Sequence, residues 1–195
     1  MDSTDIMSAT TLPPTSTLLL SGVPGVGKTT VLCREAESLG EISLGGFYTE
    51  EIREAGARCG FRLVTFSGQE HLLAHTDSPR KFRVGRYGVD VSVLDTLARS
   101  VLAESPNTAL YLVDEIGKME CLSNPFVVAM RTLLNSDKPL VATIARKGKG
   151  FIAETQQRAD TVLWEVTRAN RDHLPQRVME WLNLQGVTTA LVAQR

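Results

Sequence analysis

The sequence predicts an α/β protein, a mainly parallel sheet with helices on both faces and an added β-hairpin. Three observations predict it. Residues Gly22-Val23-Pro24-Gly25-Val26-Gly27-Lys28-Thr29 fit the pattern GxxxxGK[ST] at every fixed position, and they lie between an apolar run and a helical repeat. A second apolar run, Ala109 to Val113, ends in the acid pair Asp114-Glu115 about 85 residues later. Apolar strands then alternate with helical patterns, the arrangement that builds a parallel sheet covered on both sides.

In chain order, Thr17 to Ser21 reads as a buried strand, and Lys28 to Leu39 places Val31, Leu32, Glu35, Ala36 and Leu39 at helical spacing up to the break at Gly40. The run Phe47-Tyr48-Thr49-Glu50-Glu51-Ile52-Arg53 and the returning Gly60 to Phe66, joined by a turn at 54–57, predict the hairpin. Its charges fit a solvated edge, or a hairpin end that reaches the phosphate site or the base. Residues 69–80 read as irregular, and His71 and His75 lack the further ligands that a metal pair needs. Extended chain follows at 82–91, then a helix capped by Ser92 and running to about Glu104. Beyond the acid pair, Asn124-Pro125 opens a helix, Pro139 to Ile144 is a strand, and Ile152 to Arg158 is a short helix. Thr161 to Val166 is a strand, and Asn170 or Asp172 caps a final helix. Strand, loop, helix and acid pair together describe a P-loop NTPase core.

Composition bounds the rest. At 195 residues the chain has room for one sizeable core, expected as a single domain over 17–195 behind a disordered tail at 1–16. With 21 Lys plus Arg against 22 Asp plus Glu, the net charge is −1, so no global field marks nucleic acid or a membrane as partner. Cys33, Cys59 and Cys121 form no disulfide framework, and the first 16 residues do not resemble a secretory signal. An intracellular, cytoplasmic protein is the expectation.

The residue types fit phosphate chemistry. Residues 22–30, from Gly22 through Thr30, would wrap the phosphates with inward N–H groups at a helix N-terminus. Lys28 would reach the β and γ oxygens, while Thr29 and Asp114 would hold Mg²⁺. Glu115 is placed to align an attacking water. For a further transition-state cation, Arg158 is the first choice because it lies ahead of a strand, with Arg146 and Arg171 behind it. The segment Ala145-Arg146-Lys147-Gly148-Lys149-Gly150 reads as a cationic lid or a solvated loop.

The chain resembles the cancer-related nucleoside-triphosphatase family, small P-loop proteins first described from thermophiles. The resemblance covers about residues 17–185 and rests on the phosphate loop through Thr30, on residues 46–53 and 84–91, on Asp114-Glu115-Ile116-Gly117-Lys118-Met119-Glu120, and on Asn170-Arg171. It implies a RecA-like core and Mg²⁺-dependent hydrolysis of ATP, GTP and other NTPs to NDP and phosphate, with loose base selectivity and Glu115 catalytic. Two rivals stay open at this point, a nucleotide or nucleoside kinase and a slow NTP-binding switch. No NKxD motif selects guanine.

Overall fold

The computed structural model describes residues 15–187. The segments 1–14 and 188–195, which include most of the expected tail and the end of the expected domain, lie outside the described residues. Of the two tail residues that are described, Ser16 is anchored: its carbonyl accepts the Leu140 N–H at 2.8 Å and its hydroxyl donates to the Ser136 carbonyl at 3.2 Å.

Among the described residues nine strands form one sheet. They are β1 (Thr17–Gly22), β2 (Leu44–Glu54), β3 (Ala57–Thr65), β4 (Glu70–His75), β5 (Arg83–Val84), β6 (Tyr87–Val89), β7 (Leu110–Ile116), β8 (Leu140–Ala145) and β9 (Val162–Glu165). The order across the sheet is β5-β6-β4-β3-β2-β7-β8-β1-β9. Strands β2, β7, β8, β1 and β9 run parallel, and β3, β4, β6 and β5 extend the same sheet with antiparallel pairings. The expected hairpin is therefore the first part of a larger antiparallel wing. Strand β2 belongs to both halves: Leu44 to Phe47 pair with β7, and Phe47 to Glu54 pair with β3.

Among the described residues five α-helices cover the sheet: α1 (Lys28–Leu39), α2 (Val91–Arg99), α3 (Asn124–Leu134), α4 (Phe151–Gln156) and α5 (Leu174–Leu184). The parallel strands alternate between two cores, which is why they read as continuous apolar runs. Leu18, Leu20, Leu110, Leu112 and Val141 pack with α1 and α5, whereas Leu19, Tyr111, Val113, Leu140 and Ala142 pack with α2 and α3.

Several expected boundaries move, each for a local reason. Residues 70–75 form β4 rather than irregular chain, because Leu73 and Ala74 enter the core while Glu70 and Leu72 stay exposed. Asp90 caps α2 in place of Ser92, its carboxylate accepting the Ser92 N–H at 3.2 Å. That helix stops at Arg99, where the Ser100 hydroxyl turns back to the Thr96 carbonyl at 3.1 Å. Ser123 caps α3 through the Phe126 N–H, with Pro125 in the first turn. Neither Asn170 nor Asp172 caps α5, which begins after His173; Asn170 instead closes its own turn onto Thr167 N–H and the Glu165 carbonyl, both at 2.8 Å.

Candidate active site

A cleft of about 760 Å³ opens at the carboxyl ends of the parallel strands, between the loop at 22–29 and the ends of β2, β7 and β8. This is where an open α/β sheet gathers its ligand-binding groups. Gly25 and Gly27 adopt φ of 73° and 111°, left-handed values that L side chains rarely take. At Gly22 an added Cβ would meet the Val166 carbonyl at 2.7 Å, so the loop is seated directly against the end of β9. Helix α1 starts at Lys28 with no acidic residue in its first turn, leaving the positive end of its dipole uncompensated by its own sequence.

Asp114 and Glu115 lie inside β7, one turn of pleat beyond the expected strand end, and their peptide bond is cis. Asp114 is 2% exposed, and a buried carboxylate needs partners. It has four. One oxygen accepts the Thr29 hydroxyl at 2.7 Å, the Thr49 hydroxyl at 3.0 Å and the Thr49 N–H at 3.3 Å; the other accepts the Thr143 hydroxyl at 2.6 Å. With its proton committed to Asp114, the Thr29 oxygen presents only lone pairs to the cleft. Hydroxyl and carboxylate together make a hard oxygen-donor set suited to a divalent cation.

Glu115 meets the Lys28 ammonium at 3.1 Å. Burial raises its carboxyl above the ordinary range and Asp114 adds to this, while Lys28 pulls the other way. A third acid stands behind the pair. Glu120, in a short 3-10 turn, is 6% exposed and pushed up to about 8 by burial, with the charges of Glu115 and Asp114 adding to the effect. Lys118, Arg146 and Lys147 line the same cleft.

The structure brings together the loop, Lys28, Thr29, Asp114 and Glu115, and it corrects the choice of Arg158. That guanidinium donates to the Leu134 carbonyl, the Asn135 side chain and Asp160, at the carboxyl end of α3. Helix α3 runs back towards the start of β8, so Arg158 sits at the end of the strands opposite the loop. Arg146 lines the cleft and approaches Glu165 at 3.6 Å, and Arg171 donates to the Val26 carbonyl at 3.3 Å beside Gly27. Thr49, Thr143, Arg58 and Phe61 were not singled out by the sequence. Thr49 does follow the Phe-Tyr run of the hairpin, and its hydroxyl meets Asp114 at 3.0 Å.

The family described as NTPase matches this chain over residues 17–179. The chain belongs to that family. The nucleoside-triphosphatase THEP1 of Thermotoga sp. (strain RQ2) is 39% identical to it over 166 residues, covering 85% of this chain and 94% of that protein. The human cancer-related nucleoside-triphosphatase is 38% identical over 173 residues, covering 80% and 91% of the two chains. The crystal structure of THEP1 from Aquifex aeolicus superposes with a TM-score of 0.78 at 33% identity, covering 85% of this chain and 98% of the other. Family membership and the P-loop NTPase fold thus agree with the site geometry. Among the described residues no helix is long and apolar enough to cross a membrane.

Proposed function

We propose that this NTPase-family chain is a Mg²⁺-dependent nucleoside-triphosphatase that releases the terminal phosphate of ATP, GTP and other NTPs with loose base selectivity. The observation that carries this reading is the pairing of two carboxylates with two different partners at the loop mouth: Asp114 on the Thr29 hydroxyl at 2.7 Å and Glu115 on Lys28 at 3.1 Å.

The residues divide the work. Residues 22–30 bind the phosphates through backbone N–H groups, and the Lys28 ammonium exchanges Glu115 for the β and γ oxygens. Thr29 and Asp114 would hold Mg²⁺, which would supply charge neutralisation at the phosphate oxygens. Glu115, released by Lys28, orients a water in line with the γ-phosphorus and accepts its proton. Its burial keeps it a stronger base than an exposed carboxylate. Arg146, Lys147 and Lys118 take the role first given to Arg158, meeting charge that develops beyond the reach of Lys28. Loose base selectivity is supported by Arg171, a half-exposed guanidinium beside the loop that can stack on any base without reading its edge.

Phosphate release from ATP, GTP, CTP and UTP, followed with and without Mg²⁺, tests the proposal. Glu115→Gln is expected to keep triphosphate binding and to lose at least a hundredfold in turnover, whereas Lys28→Ala loses binding itself. A Glu115→Gln protein that hydrolyses at the parent rate removes Glu115 from the mechanism.

A further inference from the structure

The cleft's lining continues beyond the loop and the acid pair, and sheet order shows in which direction. The loop follows β1, and the γ-phosphate end must face Asp114 and Glu115 on β7. The other end of the nucleotide then points towards β9, where Arg171 borders the loop. On the far side of β7 come β2 and β3, which carry Glu51, Arg58 and Phe61 into the same cleft. At about 4.8 Å per strand this wall lies about 10 Å past the γ-phosphate position, on the side away from the base.

Its chemistry differs from that of the phosphate end. Phe61, Leu73 and Val84 give an apolar lining. Beside them the Arg58 guanidinium is held flat by two partners, donating from Nε to the Tyr87 hydroxyl at 3.0 Å and from Nη1 to Glu51 at 2.6 Å. Arg53 grips the same Glu51 at 2.6 Å, and these hydrogen bonds, Arg58's first, hold its carboxyl below the ordinary range. The guanidinium carbon lies 5.1 Å from the Phe61 ring centroid, and the Arg58 side chain is still 41% exposed. A phenyl ring next to an oriented guanidinium is a stacking platform for a flat π-system. Lys118, just after β7, and Lys147, just after β8, line the same cleft and pair with no carboxylate among the described residues.

We propose that the Phe61–Arg58 wall is a second ligand subsite, which takes the nucleobase ring of a nucleoside or nucleoside monophosphate lying end-on to the γ-phosphate. The proposal rests on the reading of the loop at 22–30 as the triphosphate site. Phe61 and Arg58 stack the ring, and the ribose or phosphate end points back towards Lys118 and Lys147.

The test titrates adenosine, AMP, cytidine and CMP by calorimetry into the protein saturated with Mg²⁺ and β,γ-imido-ATP. Saturable binding of at least one probe is expected, weakened about tenfold by Arg58→Gln and by Phe61→Leu. Tighter binding of a monophosphate than of its nucleoside assigns the phosphate to the two lysines, and equal affinities assign recognition to the ring alone; either supports the subsite. Absence of binding to the saturated parent protein, or parental affinity in both variants, overturns it. So does loss of imido-ATP affinity in the variants, which would put the triphosphate's own base on this wall. A parent protein that fails to bind imido-ATP at all overturns the triphosphate reading separately, and the proposal with it.

Discussion

Glu35 gives a prediction about stability that is independent of catalysis. It lies on the buried face of α1 with Val31, Leu32 and Leu39, is 0% exposed, and neither carboxylate oxygen has a hydrogen-bond partner. Burial alone pushes its carboxyl from 4.5 up to about 8. At about 1.4 kcal/mol per tenfold in proton affinity, the folded chain holds this proton more tightly than the unfolded chain by on the order of 5 kcal/mol. The sign follows from the direction. A folded-state value above the unfolded one gives stability that is complete below about pH 4.5 and lost as pH rises towards 8. Replacing Glu35 by Gln removes the titration, so urea midpoints between pH 5 and 8 should fall less steeply for Glu35→Gln than for the parent. The two slopes should differ by up to about 4 kcal/mol across that window, and Glu35→Gln should be the more stable protein at pH 8. Parallel pH profiles would show that the carboxyl is solvated or paired and refute the argument. Glu120, also pushed up to about 8, adds a similar fall to both proteins and cancels in the comparison.

Two further substitutions probe the framework of the site. Thr143→Val conserves shape but deletes the hydroxyl that donates to Asp114 at 2.6 Å, leaving a buried carboxylate oxygen unpaired. It should cost about 2 kcal/mol in urea unfolding, and a loss under about 0.5 kcal/mol would show that this bond does not hold the carboxylate. Gly46→Ala should be worse, because Gly46 has φ of 100° and an added Cβ would stand 1.9 Å from the Leu112 carbonyl on the neighbouring strand. At least about 3 kcal/mol of destabilisation, read as a fall of the thermal midpoint, is expected; a neutral effect would mean that β2 and β7 are not clamped at this point.

What the sequence made legible was local. The loop, the limits of α1 and the acid pair are each written in consecutive residues whose chemistry has few other uses. The antiparallel wing was half visible, because Gly60 to Phe66 reads as a returning strand while β4 sets two buried residues between polar flanks with an exposed Leu72. The choice of Arg158 failed for a different reason. A cation's position before a strand does not say which end of the sheet it serves, and Arg158 belongs to the carboxyl end of α3. Thr49 and Thr143 were silent because threonine is common in strands for its branched shape, and only the sheet order brings both hydroxyls onto Asp114. Arg58 and Phe61 were likewise ordinary hairpin residues until the register set Phe61 opposite Glu51.

Strand β2 joins the two ends of the cleft and works as a ruler. Thr49 grips the Asp114 carboxylate, and Glu51, two positions along the same strand, anchors Arg58. Two residues of extended chain span about 7 Å. That length is fixed by the polypeptide itself, with pairing to β3 holding it straight. A residue inserted between Thr49 and Glu51 would lengthen the ruler and turn Glu51 to the opposite face of the sheet. Loops elsewhere in this fold can change in length; here the count of residues is itself part of the site.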